Sequence, residues 1–163
     1  MTLEDREIQV DRMRFIKNKA SANLALLAIV LDVLYFVCIY KSDVGSYYYN
    51  ILIGASIVYN LLFMLAVFLS EEGVKNYKIS YSYWLIVIGL LQFVRIFIIP
   101  MKAHGATVSI SGVDQIVMGG GQFARLVSYL VVSGLCLIAS GIININKCRA
   151  LAAHEKRLAD KAA

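Results

Sequence analysis

The stretch ASANLALLAIVLDVLYFVCIY, at residues 20–40, decides the class of this protein. Asp32 is its only charged side chain. A helix needs roughly 20 mainly apolar residues to cross a hydrocarbon layer about 30 Å thick, and this stretch meets that requirement. Charge-rich residues precede it and no small-x-small site follows it, so we do not expect a cleaved signal peptide. The stretch therefore predicts a membrane-spanning helix.

Three more stretches have the same character, at residues 51–69, 81–99 and 122–143. Pro100 ends the stretch before it, because a proline ring prevents continued helical hydrogen bonding. None of the stretches alternates in polarity as a transmembrane barrel strand would. The 163 residues are 60% hydrophobic and only 17% charged, which is far more apolar than a soluble domain. The predicted fold is an all-α membrane protein, a four-helix transmembrane bundle.

The positive charges predict the orientation of this bundle. Residues 1–19, 70–80 and 144–163 hold twelve of the sixteen Lys and Arg residues, whereas the 41–50 and 100–121 connections hold one each. The positive-inside rule then places both termini in the cytoplasm. We expect the plasma membrane as the location. The net charge of +5 thus indicates topology and attraction to membrane lipids, without a nucleic-acid partner.

The ends and the longest connection complete the predicted organisation. We expect residues 1–19 to form a basic amphipathic cytoplasmic segment, and residues 144–163 to form a basic helical tail that is either solvated or docked on a partner. Residues 20–143 make up the transmembrane domain. The outer loop at 100–121 is long for an ordered connection, and it either folds into a short hairpin or dips into the membrane interface.

Three ionisable residues fall inside the predicted spans: Asp32, Arg95 and Arg125. At about 1.5 Å per residue, all three lie in the outer half of the membrane. A charge there is costly unless it is paired or hydrated, so we expect Asp32 to pair with Arg95 or Arg125. Gln92 is one turn before Arg95 and shares its face. Three interpretations stay open: a structural ion pair, an anion or headgroup site, and a coupled-proton or substrate site.

A second candidate site precedes the fourth span. Gly119, Gly120 and Gly121, together with Arg125, form a candidate anion or headgroup site. Glycines expose successive N–H groups, and a helix N-terminus attracts anions. The sequence lacks the Lys-Ser/Thr pair of a nucleotide-binding loop. A flexible hinge before the helix is the competing interpretation.

Small and polar residues inside the spans predict close helix packing. In the fourth span, Ser133 and Gly134 recur seven residues later as Ser140 and Gly141, which forms a small-residue stripe. Such a stripe lets helix backbones approach closely, either within a chain or between subunits. Asn60, near the middle of the second span, is expected to form an interhelical hydrogen bond.

The sequence offers little for catalysis. HExxH, GxSxG and CxxC motifs are missing, and His104 and His154 fall on opposite sides of the predicted membrane. We therefore expect no catalytic residue, metal or cofactor. The first hypothesis is a non-enzymatic accessory or assembly subunit, which forms a homo-oligomer or joins a larger membrane complex.

Two other hypotheses stay open. One is a small oligomeric transporter or channel that uses Asp32 with Arg95 or Arg125. The weaker one is an enzyme that handles a lipid at the membrane interface. The environment of Asp32 distinguishes the accessory subunit from the transporter. A carboxylate neutralised by arginine favours the former, whereas a carboxylate that faces a wet cavity favours the latter.

Overall fold

The computed structural model describes residues 3–40, 50–110 and 113–162. Its helices and strands, in chain order, are α1 (Leu3–Met13), α2 (Lys19–Tyr40), α3 (Asn50–Lys75), α4 (Ile79–Ile98), α5 (Pro100–Ala103), β1 (Thr107–Ile110), β2 (Val113–Ile116) and α6 (Gly120–Ala162). Within these residues, four helices are long and apolar enough to cross a membrane, namely α2, α3, α4 and α6. The prediction of four candidate spans is confirmed.

The outward surface of the four long helices is apolar. Only 33% to 39% of each candidate span is buried inside the bundle. Large side chains such as Leu62, Trp84, Phe97 and Leu135 are more than half exposed. A soluble monomer rarely exposes contiguous apolar area on this scale. The surface is therefore consistent with an integral membrane protein.

The bundle is arranged around α6, which packs along both α2 and α4, while α3 packs against the same two helices. Buried apolar side chains form one cluster that contains Ala25, Ala28, Phe63, Val67, Leu85, Ile88 and Leu137. A second cluster contains Tyr35, Ile39, Ala103, Met118, Leu126 and Leu130. The second cluster lies beside β1 and β2, and we call that side of the bundle the hairpin end.

The opposite side of the bundle is the basic end. The backbone N–H of Asn18 donates to the Lys75 carbonyl oxygen at 2.9 Å, and Lys147 Nζ donates to the side-chain Oδ1 of Asn18 at 2.8 Å. Asn144 Nδ2 also approaches the Lys78 carbonyl oxygen at 3.4 Å. These contacts bring together the start of α2, the α3–α4 connection and the middle of α6.

Glycines let α4 and α6 approach closely. A Cβ atom on Gly134 would stand 3.0 Å from the Gly89 carbonyl oxygen, and one on Gly141 would stand 2.7 Å from the Ser82 carbonyl oxygen. A larger side chain at either position would force the two backbones apart. The glycine half of the small-residue stripe therefore packs against α4 of the same chain.

The serine half of the stripe faces a different helix. Ser133 Oγ donates to the Ala28 carbonyl oxygen at 3.2 Å, and Ser140 Oγ donates to the Ser21 carbonyl oxygen at 2.7 Å. Neighbouring residues on a helix point about 100° apart, so the serines reach α2 while the glycines reach α4. The stripe joins three helices within one chain.

Two helices extend beyond their predicted ends. α3 continues past residue 69 to Lys75, where Ser70 Oγ bonds back to the Ala66 carbonyl oxygen at 2.7 Å and Lys75 pairs with Glu72 at 2.7 Å. α6 continues past residue 143 and includes the predicted helical tail, for 43 residues in all. Good helix formers in the tail explain this continuity.

The α6 extension packs beside α1. His154 Nε2 lies 3.4 Å from Asp11 Oδ1, and Arg157 Nη1 lies 3.8 Å from Glu7 Oε1. The helical tail thus has a partner in the amino-terminal segment of its own chain.

A hairpin forms in the predicted outer loop. β1 and β2 pair antiparallel from Thr107 with Ile116 to Ile110 with Val113, and the two residues of the turn lie outside the described residues. The ring of His104 stacks on Phe123 at 4.4 Å between centroids. The hairpin considered for residues 100–121 is therefore present in the structure.

Candidate functional site

The candidate site is an ion pair buried between α2 and α4. Arg95 Nη1 lies 2.6 Å from Asp32 Oδ1, and the two side chains are only 3% and 0% exposed. Asp32 shares the buried face of α2 with Ala28 and Tyr35, at spacings of four and three residues. This helical spacing points the carboxylate inward in spite of its charge.

Gln92 extends the ion pair to a third helix. Its Nε2 donates to Asp32 Oδ1 at 3.4 Å and to Ser133 Oγ at 3.2 Å, while its Oε1 accepts from Arg95 Nη1 at 3.2 Å. The predicted association of Asp32, Gln92 and Arg95 is therefore present, and Ser133 of α6 belongs to it as well. One hydrogen-bonded network connects α2, α4 and α6.

Aromatic rings surround the guanidinium group of Arg95. Its Cζ lies 4.4 Å from the ring centroid of Tyr35, 5.4 Å from that of Tyr59 and 5.5 Å from that of Phe63. Cation–π attraction of this kind strengthens where water is excluded. Tyr59 and Phe63 belong to α3. This helix therefore contributes aromatic rings to the site, whereas α2, α4 and α6 contribute its hydrogen bonds.

Four buried polar atoms in this region have no hydrogen-bond partner within the described residues: Asp32 Oδ2, Arg95 Nη2, the Tyr35 hydroxyl and Asn60 Oδ1. Buried polar groups without partners are costly, because they have lost their hydrogen bonds to water. Three of these atoms belong to residues in mutual contact: Asp32 Oδ2 is an acceptor, Arg95 Nη2 is a donor, and the Tyr35 hydroxyl can be either. That combination has the chemistry to hold water or a small polar solute.

Asn60 corrects one prediction. Its Nδ2 donates to the Ser56 carbonyl oxygen at 2.9 Å, within its own helix, and its Oδ1 is the unpartnered atom. Asn60 is only 1% exposed, yet it does not make the expected interhelical hydrogen bond in the described part of the chain. Bonding one turn back along the helix is the local alternative for such a side chain.

Arg125, the other arginine considered as a partner of Asp32, does not join the Asp32 cluster. Its side chain is exposed, and its Nε donates to the Gly121 carbonyl oxygen at 3.3 Å. Leu126 and Leu130 occupy the buried face of α6 instead. Arg125 is one residue from Leu126 and so points about 100° away.

The glycine site at the start of α6 stays a prediction. Gly119, Gly120 and Gly121 are exposed, and the Gly119 carbonyl oxygen accepts from the amides of Gln122 and Phe123. These bonds form the first turn of the helix. The carbonyl oxygen of Gly121 engages the side chain of Arg125, which leaves the guanidinium close to the glycines.

Sequence analysis missed a second buried polar network, which lies at the basic end. Asn18 Nδ2 donates to Asn144 Oδ1 at 2.7 Å and to Ser21 Oγ at 2.9 Å, and Asn144 Nδ2 donates to Ser82 Oγ at 2.7 Å. Both asparagines are at most 1% exposed. The spacing of Ser133, Ser140 and Asn144 along one helical face was the signal for it.

Groups suited to catalysis are dispersed. His104 lies at the hairpin end, whereas His154 lies beside α1. The described residues contain no group of three or more His, Cys, Asp or Glu side chains that could hold a metal ion. Comparison of the chain with protein-family models, curated proteins and solved structures gives no match.

Proposed function

We propose that this protein is a non-enzymatic, multi-pass accessory subunit that supports the assembly of a plasma-membrane complex, with both termini in the cytoplasm. The observation that carries the proposal is the Asp32–Arg95 pair, 2.6 Å apart and buried. Within the bundle these two charges neutralise each other. A carboxylate held by arginine favours a packing role over a role in ion coupling, because removing its charge by protonation would leave Arg95 unpaired.

The basic end supports the assembly role. At about 1.5 Å per residue, the 43 residues of α6 extend about 65 Å, roughly twice the thickness of the hydrocarbon layer. About half of the helix is thus available outside the membrane, packed against α1. Arg149 and Lys156 are exposed and seven residues apart, so they lie on one face of this extension. We infer that this face contacts an acidic surface on another subunit.

The test is the size of the protein when it is extracted from its native membrane in mild detergent. We expect the tagged full-length chain to migrate in an assembly larger than one protomer with its detergent. Replacement of Arg149 and Lys156 by Gln should release the protomer. Replacement of Lys102 and Arg125 by Gln removes the same charge from exposed positions at the hairpin end and should leave the assembly intact. A wild-type protomer that migrates alone would contradict the proposal.

A small oligomeric transporter or channel is the second candidate, and one observation favours it. The unpartnered atoms Asp32 Oδ2, Arg95 Nη2 and the Tyr35 hydroxyl leave donors and acceptors for water or a small solute. This candidate predicts solute- or proton-dependent flux in vesicles that contain the purified protein, with loss of flux in folded Asp32→Asn. The accessory-subunit proposal predicts flux no greater than that of empty vesicles.

A further inference from the structure

A groove of about 640 Å³ opens at the basic end, between α1, the start of α2 and the α3–α4 connection. Four of its lining residues are cationic: Arg12, Lys17, Lys19 and Lys147. None of its described lining residues is acidic. Beside the groove, at the end of α3, Lys75 lies 3.8 Å from Glu71 and 2.7 Å from Glu72, and the charge of Lys17 also acts on Glu72. The described lining of the groove itself therefore carries four positive charges and no negative charge.

We propose that this groove binds one anionic phospholipid, with its phosphate held by the cationic side chains. Lys19 begins α2, so the cations lie at the level where a span enters the membrane and where lipid phosphates are found. Val10, Met13 and Ile16 supply an apolar wall for the first carbons of an acyl chain. Positive charge alone fits a soluble phosphate equally well, whereas the apolar wall at this depth fits a lipid.

One of the four cations is held in place by the fold. Lys147 Nζ donates to Asn18 Oδ1 at 2.8 Å, and Asn18 is 1% exposed and bonded to Asn144 at 2.7 Å. An ammonium group has three N–H donors, so the others stay available for a phosphate oxygen. The buried asparagine network therefore positions a charge at the wall of the groove before any ligand binds.

Tyr77 adds a neutral donor at the cost of backbone strain. Its φ is 56°, in the left-handed region, at the position after a helix end that usually holds glycine. The backbone N–H of Lys78 donates to the Gly73 carbonyl oxygen, and that of Tyr77 donates to the Val74 carbonyl oxygen. These two bonds close the carboxyl end of α3. Tyr77 is one of the residues that line the groove. Burial raises the pKa of Tyr77, so the phenol keeps its proton for a hydrogen bond.

Native mass spectrometry of the full-length protein in detergent tests the proposal, with phosphatidylglycerol and phosphatidylcholine of matched acyl chains as probes. We expect one phosphatidylglycerol to bind at least tenfold more tightly than phosphatidylcholine. Each cation near an anionic headgroup raises the affinity by a factor of about five. The double variant Lys17→Gln with Lys19→Gln should therefore lower the affinity for phosphatidylglycerol about 25-fold. Lys78→Gln with Lys102→Gln removes equal charge from exposed positions that do not line the groove and should preserve the affinity. Equal affinities for the two lipids, or equal effects of the two variants, would overturn the proposal.

Two further measurements distinguish a lipid site from a site for free phosphate and test the role of Tyr77. Inorganic phosphate at millimolar concentration should not displace the lipid, and displacement would overturn the assignment to a lipid. Tyr77→Gly relieves the left-handed strain, so it should raise the thermal midpoint of the lipid-free protein while lowering its affinity for phosphatidylglycerol. Tyr77→Phe removes only the hydroxyl and should lower that affinity severalfold. Unchanged affinity for phosphatidylglycerol in both Tyr77 variants would contradict lipid binding in the groove that Tyr77 lines.

Discussion

Asp32 and Arg95 satisfy each other on one side only. Nη1 meets Oδ1 at 2.6 Å, whereas Oδ2 and Nη2 have no hydrogen-bond partner within the described residues. Such a pair contributes little net stability, because both charges have lost their hydration. Loss of a single member is nevertheless costly, since the other charge stays buried without compensation. We therefore propose that the pair acts chiefly to fix the position of α2 relative to α4.

The glycine contact between α4 and α6 gives a first prediction. Gly134→Leu should destabilise the bundle, because its Cβ would already stand 3.0 Å from the Gly89 carbonyl oxygen. The matched control is Gly54→Leu, since a Cβ on Gly54 has no heavy atom within 4 Å among the described neighbours. Thermal midpoints in detergent should fall for Gly134→Leu and stay level or rise for the control. Equal midpoints would mean that α4 and α6 do not pack through this face.

The buried network at the basic end gives a second prediction. Asn144→Leu should cost about 1–3 kcal/mol in the free energy of unfolding, because it removes the buried hydrogen bonds of Asn144 with Asn18 and Ser82. Asn146→Leu alters an exposed residue two positions along and should have little effect. Unfolding titrations in denaturing detergent measure both variants. A similar loss for each would show that the buried network does not account for the effect.

Orientation gives a third prediction. In a variant that lacks the three native cysteines, His104→Cys should react with a membrane-impermeant maleimide in intact cells, because the positive-inside rule puts the hairpin end outside. Ala159→Cys, in the α6 extension, should react only after the cells are opened. Both positions are exposed in the structure. The reverse pattern of labelling would contradict the proposed topology.

Length and hydropathy were enough to predict the four spans, because no soluble arrangement shields so many apolar side chains. Spacing was enough to associate Gln92 with Arg95, since residues one turn apart share a face. Which of the two arginines, Arg95 or Arg125, pairs with Asp32 could not be predicted from the sequence. Depth along a helix places both near Asp32, but depth does not say which way each side chain points, and spans that are apolar all round carry no stripe that marks their buried face.

Asn18 and Asn144 were missed for a related reason. Both flank apolar stretches, where polar residues are expected to meet water and headgroups. The structure buries them because α2, α4 and α6 pack together past the ends of the predicted spans. Their burial depends on packing between helices that are far apart in the sequence. The helical spacing of Ser133, Ser140 and Asn144 was the sequence signal for this packing.

A double-mutant cycle on the ion pair tests the central claim most directly. Asp32→Asn should lower the free energy of unfolding by about 3–5 kcal/mol, because Arg95 stays charged and buried at 3% exposure. Adding Arg95→Gln should recover part of this loss, whereas adding Arg125→Gln should recover none, since Arg125 is exposed. If the effects of Asp32→Asn and Arg95→Gln simply add, or if Arg125→Gln restores stability instead, Asp32 and Arg95 do not act as a coupled buried pair between α2 and α4.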